Sequence, residues 1–170
     1  MKTLNLLKNR LLAACIMTAT LGCSSLAMAE TPPDFTINFP TGIACNGFKL
    51  RIEGWNVGNY DLRETKDKFG ITRTIEAGTG YVLRFTNWKN KKTFETKSNG
   101  AANHTTYNSD GTQTVALTGH NVVILYPTDI PAGPSTSLYM GEVVFTIDTA
   151  GNYLVQSVSG QSVDICAAVS

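Results

Sequence analysis

Histidine is scarce in this chain of 170 residues: there are two, His104 and His120. A zinc centre needs three or four His, Cys or acidic ligands at workable spacing, and no such set stands out. The G-x-S-x-G elbow, the phosphate-binding loop and the dinucleotide fingerprint are missing as well. Nothing therefore points to a cofactor, and the expected cofactor content is none. Charged residues make up only 16% of the chain. No stretch keeps a 3.6-residue apolar period for three turns, so little helix is expected. The longest apolar run, Leu11 to Leu21, is interrupted by Thr18 and Thr20 and is too short to cross a bilayer. No transmembrane segment is expected.

That run has a different meaning. Lys2, Lys8 and Arg10 precede it and Ala27-Met28-Ala29 follows it, the layout of a cleavable export leader over residues 1–29. The other reading of this region is lipid attachment at Cys23, although Thr20-Leu21-Gly22 lacks the usual Leu three places before the cysteine. Removing the leader takes three of the 14 basic residues and none of the 13 acids, leaving a net charge of −2. This argues against nucleic acid as a partner. Residues 30–170 suit one domain with one core, and all 15 aromatic residues lie in it. The expected location is secreted or periplasmic.

Four cysteines become two when Cys15 and Cys23 leave with the leader. In an exported chain, Cys45 and Cys166 are expected to form one disulfide. Separate thiols or metal ligands are the alternative.

What the sequence has in plenty is strand pattern. Asn121 to Asp148 reads as two apolar strands, Val122–Tyr126 and Leu138–Ile147, joined by a loop containing Pro127, Asp129, Pro131 and Pro134. The first is short and continuously apolar, as in a strand buried on both faces. Phe35–Phe39, Phe48–Glu53 and Ile71–Glu76 alternate apolar and polar residues. Tyr81–Asn87 and Thr93–Lys97 flank a hairpin tip, and Gln113–Leu117, Tyr153–Val158 and Val163–Cys166 are shorter strands, with Gly160 read as a turn. Ser98 to Asp110 reads as a polar connection. Gly54 to Gly70 has no sustained period and suits a long loop, a ragged edge strand or one helical turn. Nine or ten short strands with frequent turn signals predict an all-β fold, an antiparallel β-sandwich or, as the alternative, a β-barrel.

Ala44-Cys45 with Phe48–Glu53, Pro131–Pro134, and Val163-Asp164-Ile165-Cys166 together resemble small secreted bacterial β-domain proteins of unknown function, frequent in actinomycetes. The resemblance implies a leader and one β-domain with paired cysteines near its ends. It implies no activity and no functional residue.

Candidate binding residues follow from residue type. Trp55, Tyr60 and Trp88 sit in loop-like segments, where aromatic side chains can anchor a protein or a sugar ring. The plainer role of Trp55 is a plug at the end of the core. Lys89, Lys91 and Lys92 beside Trp88 suit either an acidic partner or simple edge protection. The prolines of the 127–137 loop lower the cost of ordering it on a partner. Asp61 and Glu64 are the acids a polysaccharide hydrolase would use. Asn108–Gly111 is a turn signal without the distal Glu of a calcium loop, and Asn103-His104-Thr105 matches a glycosylation pattern. The expectation is a non-catalytic binding module for an unknown protein or surface glycan. Its alternatives are an extracellular hydrolase and a fibre subunit donating residues 30–40. Oligomeric state is not fixed by the sequence.

Overall fold

A computed structural model describes residues 31–97 and 100–170, without the side chain of Tyr60. The expected leader, residues 1–29, therefore lies outside the described residues. Ten strands form two antiparallel sheets, an all-β sandwich. The smaller sheet has the order β1-β2-β5-β6, from β1 (Phe35–Phe39), β2 (Leu50–Asn56), β5 (Tyr81–Asn87) and β6 (Thr93–Lys97). The larger has the order β10-β9-β8-β7-β4-β3, with β3 (Tyr60–Lys66), β4 (Thr72–Gly78), β7 (Ala101–Tyr107), β8 (Gln113–Leu125), β9 (Ser135–Ile147) and β10 (Tyr153–Asp164). One short helix, α1 (Ile165–Ala168), follows, and its N-cap Asp164 accepts a hydrogen bond from Ala167 N.

The small sheet obeys simple alternation. Leu50 and Ile52 of β2 and Phe85 of β5 point inward and are buried, while Arg51, Glu53 and Arg84 point out. Phe35 and Phe39 of β1 and Phe94 of β6 complete this inner face. Opposite them stand Leu138, Met140, Val122 and Ile124 from the second sheet, with Ile165 and Val169 closing one end. At that end Cys45 and Cys166 form a disulfide with Cα atoms 5.6 Å apart. The link spans 121 residues, and in the chain-entropy model a closure of this size is worth about 4–5 kcal/mol.

The three long strands behave differently. Gly119, Gly141 and Gly160 lie side by side across β8, β9 and β10 and form a crease in the sheet. Gly119 and Gly160 have φ of 82° and 86°, the left-handed region that glycine enters freely. At Gly119 a Cβ atom would come within 2.2 Å of Gly100 O, so both conformation and space demand glycine. The inward parity changes across this line: Leu138 and Met140 face the small sheet, whereas Val143 and Phe145 join a second core with Val115, Tyr153 and Val155. Tyr139, alternating with Leu138, packs against that second core.

Register shows how far the sheet folds. Leu125 pairs with Ser135 at one end of the β8–β9 ladder, and Gln113 with Ile147 at the other, where Tyr153 also pairs. In a flat sheet those ends would stand about 40 Å apart. Instead Ile130, in the loop after β8, donates its N–H to Tyr153 O at 2.7 Å and accepts from Val155 N at 2.8 Å. The ribbon is thus doubled back on itself. In β8 and β9 the half beyond the crease is covered on both faces, which explains the continuous apolar run at Val122–Leu125: Val123 and Leu125 are buried on the face opposite Val122 and Ile124.

Several expectations change here. Gln113–Leu117 and Val122–Tyr126 are one strand, because the ladder runs unbroken through Gly119. Gly160 is not a turn but the β10 member of the crease. Tyr126 lies outside β8, and Ile165-Cys166 open a helix rather than continue a strand. The polar segment after Ser98 contains β7, held between β4 and β8 by backbone pairing that its side chains do not advertise. The irregular 54–70 segment resolves into the end of β2 and the edge strand β3.

Candidate functional site

The sequence-predicted residues do not converge. Trp55 lies on the outer face of the small sheet, with the Arg84 guanidinium 4.9 Å from its ring centre. It faces away from the core and does not plug it. Trp88, just beyond β5, is 47% exposed, with Lys91 Nζ 3.7 Å and Arg51 Cζ 5.7 Å from its ring. Together with Lys49, Arg51 and Asn38 it borders an outer depression. Tyr60 starts β3 opposite Gly78, in the other sheet.

The proline loop divides in two. Pro127, Ile130 and Pro131 are exposed and Pro134 is half-buried. Asp129 is 3% exposed and turned inward. One of its carboxylate oxygens accepts from Tyr126 N at 2.5 Å and the other from Tyr153 N at 2.8 Å. Its work is to clasp the loop to β10, which removes it from any surface a partner could touch. Beside this clasp the Tyr153 hydroxyl is raised above its ordinary pKa, first by burial and then by the neighbouring Tyr126 and Asp129.

The acids considered for hydrolysis are separated by strand geometry. Asp61 and Glu64 are three residues apart on β3 and therefore point to opposite faces. Asp61 is exposed and ion-paired with Arg63 at 3.0 Å. His104 is an exposed member of β7 and His120 follows the crease on β8. Among the described residues no three His, Cys, Asp or Glu side chains stand close enough to hold a metal ion. Residues 35–39, within the segment considered for strand donation, already pair with β2 of their own chain.

A concave site richer in amide side chains lies elsewhere, where the chain crosses between the sheets. A cleft of about 520 Å³ opens among the end of β2, the β2–β3 turn, β4, the β4–β5 link, β7 and β8 just past its crease at Gly119. Its room comes from small residues: Gly58, Ala77, Gly78, Gly80, Ala101 and Ala102 leave no bulk to fill it. Its polar groups are Asn56, Asn59, Asn103, Asn121 and Glu76, with Tyr81 at the margin.

The strands fix several of these groups in place. Glu76 and Asn103 are register partners on β4 and β7, and Asn103 Nδ2 donates to Glu76 Oε2 at 3.4 Å. Asn103 Oδ1 accepts from Thr105 Oγ1 at 3.0 Å. Asn56 Oδ1 accepts from Gly58 N at 3.2 Å, and Asn121 Nδ2 donates to Thr118 O at 2.7 Å across the crease. Asn56 thus keeps an amide donor for the cleft and Asn121 keeps an acceptor. Tyr81 is held by an edge-on contact with Phe35, ring centres 5.2 Å apart, and remains 38% exposed.

No family model, curated protein or solved structure matches the chain. The reading of the site therefore rests on its chemistry.

The cleft was hidden in the sequence because its asparagines lie 65 residues apart at the extremes, Asn56 and Asn59 in a segment without a period, Asn103 in a polar connection and Asn121 at the head of an apolar strand. The available signal was the coincidence of Asn with small residues in Asn56-Val57-Gly58-Asn59 and Ala101-Ala102-Asn103, a composition suited to a polar cavity next to closely approaching backbone.

Proposed function

We propose that this protein is exported and acts by binding rather than catalysis, its ligand being an uncharged, hydroxyl-rich glycan held in the cleft between the sheets. The amide lining of that cleft carries the reading. Amide side chains both donate and accept, matching sugar hydroxyls, which do the same. One carboxylate, Glu76, adds a strong acceptor, and Tyr81 offers an aromatic surface to the apolar side of a sugar ring. The volume of about 520 Å³ falls within the range of sites that enclose small ligands. The Cys45–Cys166 disulfide supports an oxidising destination, in keeping with the leader at residues 1–29. Among the described residues no helix is long and apolar enough to cross a membrane.

The test is a panel of neutral and acidic oligosaccharides read by calorimetry. Neutral glycans are expected to bind, and Asn103→Ala combined with Tyr81→Ala to weaken them at least about tenfold, equivalent to about 1.4 kcal/mol. Absence of binding up to about 10 mM, or binding indifferent to this pair of substitutions, overturns the assignment. Release of new reducing ends from a bound polymer would show a hydrolase instead.

A further inference from the structure

The four sheet edges are unequally protected. An unpaired edge invites another strand, and proteins discourage it with charge, proline or brevity. The β1 edge is short and bracketed by Pro33, Asp34 and Pro40. The β6 edge is equally short and carries Glu95 and Lys97. The β3 edge bears Asp61, Arg63, Glu64 and Lys66. On β10, from Tyr153 to Val163, there is neither a charged residue nor a proline.

Part of that edge is already covered. Ile130 bonds to Tyr153 and Val155, and α1 begins at Ile165. What stays open among the described residues is Gln156 to Asp164, and its midpoint is Gly160. Val158 shows that the open stretch is unfinished. It pairs with Val143 on the side of the second core, yet it is 48% exposed where Val143 is 1% exposed. Among the described residues nothing lies outside it to complete the cover.

We infer that a second copy of this chain adds to this edge, the two β10 strands running antiparallel about a two-fold axis midway between their Gly160 residues. In that register Val158 of each copy stands opposite Ser162 of the other, Ser157 opposite Val163, and Gln156 opposite Asp164. No like charges meet, so the strand is complementary to itself, as an isologous interface requires. The crease fits the same symmetry. A two-fold axis along the bisector of the folded ribbon maps the bend onto itself, and the row Gly119–Gly141–Gly160 continues into its counterpart. The covering loop of one copy and α1 of the other mark the two limits of the pairing. This interface is separate from the amide-lined cleft and does not depend on the glycan reading.

The experiment is sedimentation of the protein, expressed from its full sequence and purified, from about 1 µM to about 1 mM. A concentration-dependent dimer is expected. Val158→Lys should raise its dissociation constant at least tenfold while leaving the far-ultraviolet circular dichroism unchanged. Adding Ser162→Glu should restore the dimer, because each introduced charge then meets its opposite across the axis. A monomer at every concentration overturns the inference. So does a dimer indifferent to Val158→Lys, or a folded double variant that stays monomeric.

Discussion

The four-stranded sheet and the ribbon of β8, β9 and β10 bury apolar surface by different means. In the small sheet each strand offers one face, and Leu50, Ile52 and Phe85 are inward because alternate residues must be. The ribbon offers both faces. A row of glycines folds it so that one set of side chains meets the small sheet while another meets its own second half. The first device spends many short strands on one core. The second obtains two cores from three long strands, at the cost of positions that accept only glycine and a clasp that must hold the doubled end down.

The comparison breaks most sharply where each region depends on a single residue. Phe85→Ala empties the centre of the first core and should cost about 4 kcal/mol in denaturant unfolding. Gly119→Val should cost about 3 kcal/mol, because it combines an unfavourable φ with a collision against Gly100 O. Gly42→Val shares the positive φ but meets no neighbour within 4 Å, so a smaller loss there separates strain from collision. Native-state hydrogen exchange should place the Gly119→Val damage in β7–β10 and spare β2 and β5.

Asp129→Ala removes the acceptor for two backbone N–H groups and should destabilise the protein by about 2 kcal/mol. Amide exchange at Tyr153 should quicken more than at Phe85. The smallest effect concerns the β9–β10 turn. Asp148 is held below its ordinary carboxylate pKa, first by the Asn152 side chain, then by the backbone N–H of Asn152 and of Ala150 and Gly151. Its contribution is present above the ordinary value and fades as pH falls through the depressed folded value. The difference in melting temperature between the native protein and Asp148→Asn should therefore shrink steadily as the solution is acidified below about pH 4.

The same contrast explains what could be read from the sequence. The small sheet was legible because Phe48-Lys49-Leu50-Arg51-Ile52-Glu53 and Thr93–Lys97 carry their alternation openly. The disulfide followed from the number and placement of cysteines, and the structure has it. The ribbon was misdivided because Gly119 and Gly160 look like turn residues, and only their alignment across neighbouring strands reveals a bend within continuous pairing. β7 was invisible because Ala101–Tyr107 draws its place from backbone pairing on both sides. The cleft was illegible for a related reason: it is made by strand register, which brings Glu76 beside Asn103. Asp129 looked like a loop acid because sequence does not show that Tyr153 returns to meet it.

The end of the described chain is part of the interior: Ile165 and Val169 are fully buried, and Val169 O accepts amide hydrogens from Asn87 at 3.0 Å and Asn90 at 3.1 Å. A polypeptide delivered from its N-terminus, by a ribosome or through a narrow pore, must wait with Ala44, Cys45 and Leu50 uncovered until Ile165 and Val169 arrive. The core cannot close until this segment has been delivered, and throughout that interval its hydrophobic face stays unsealed.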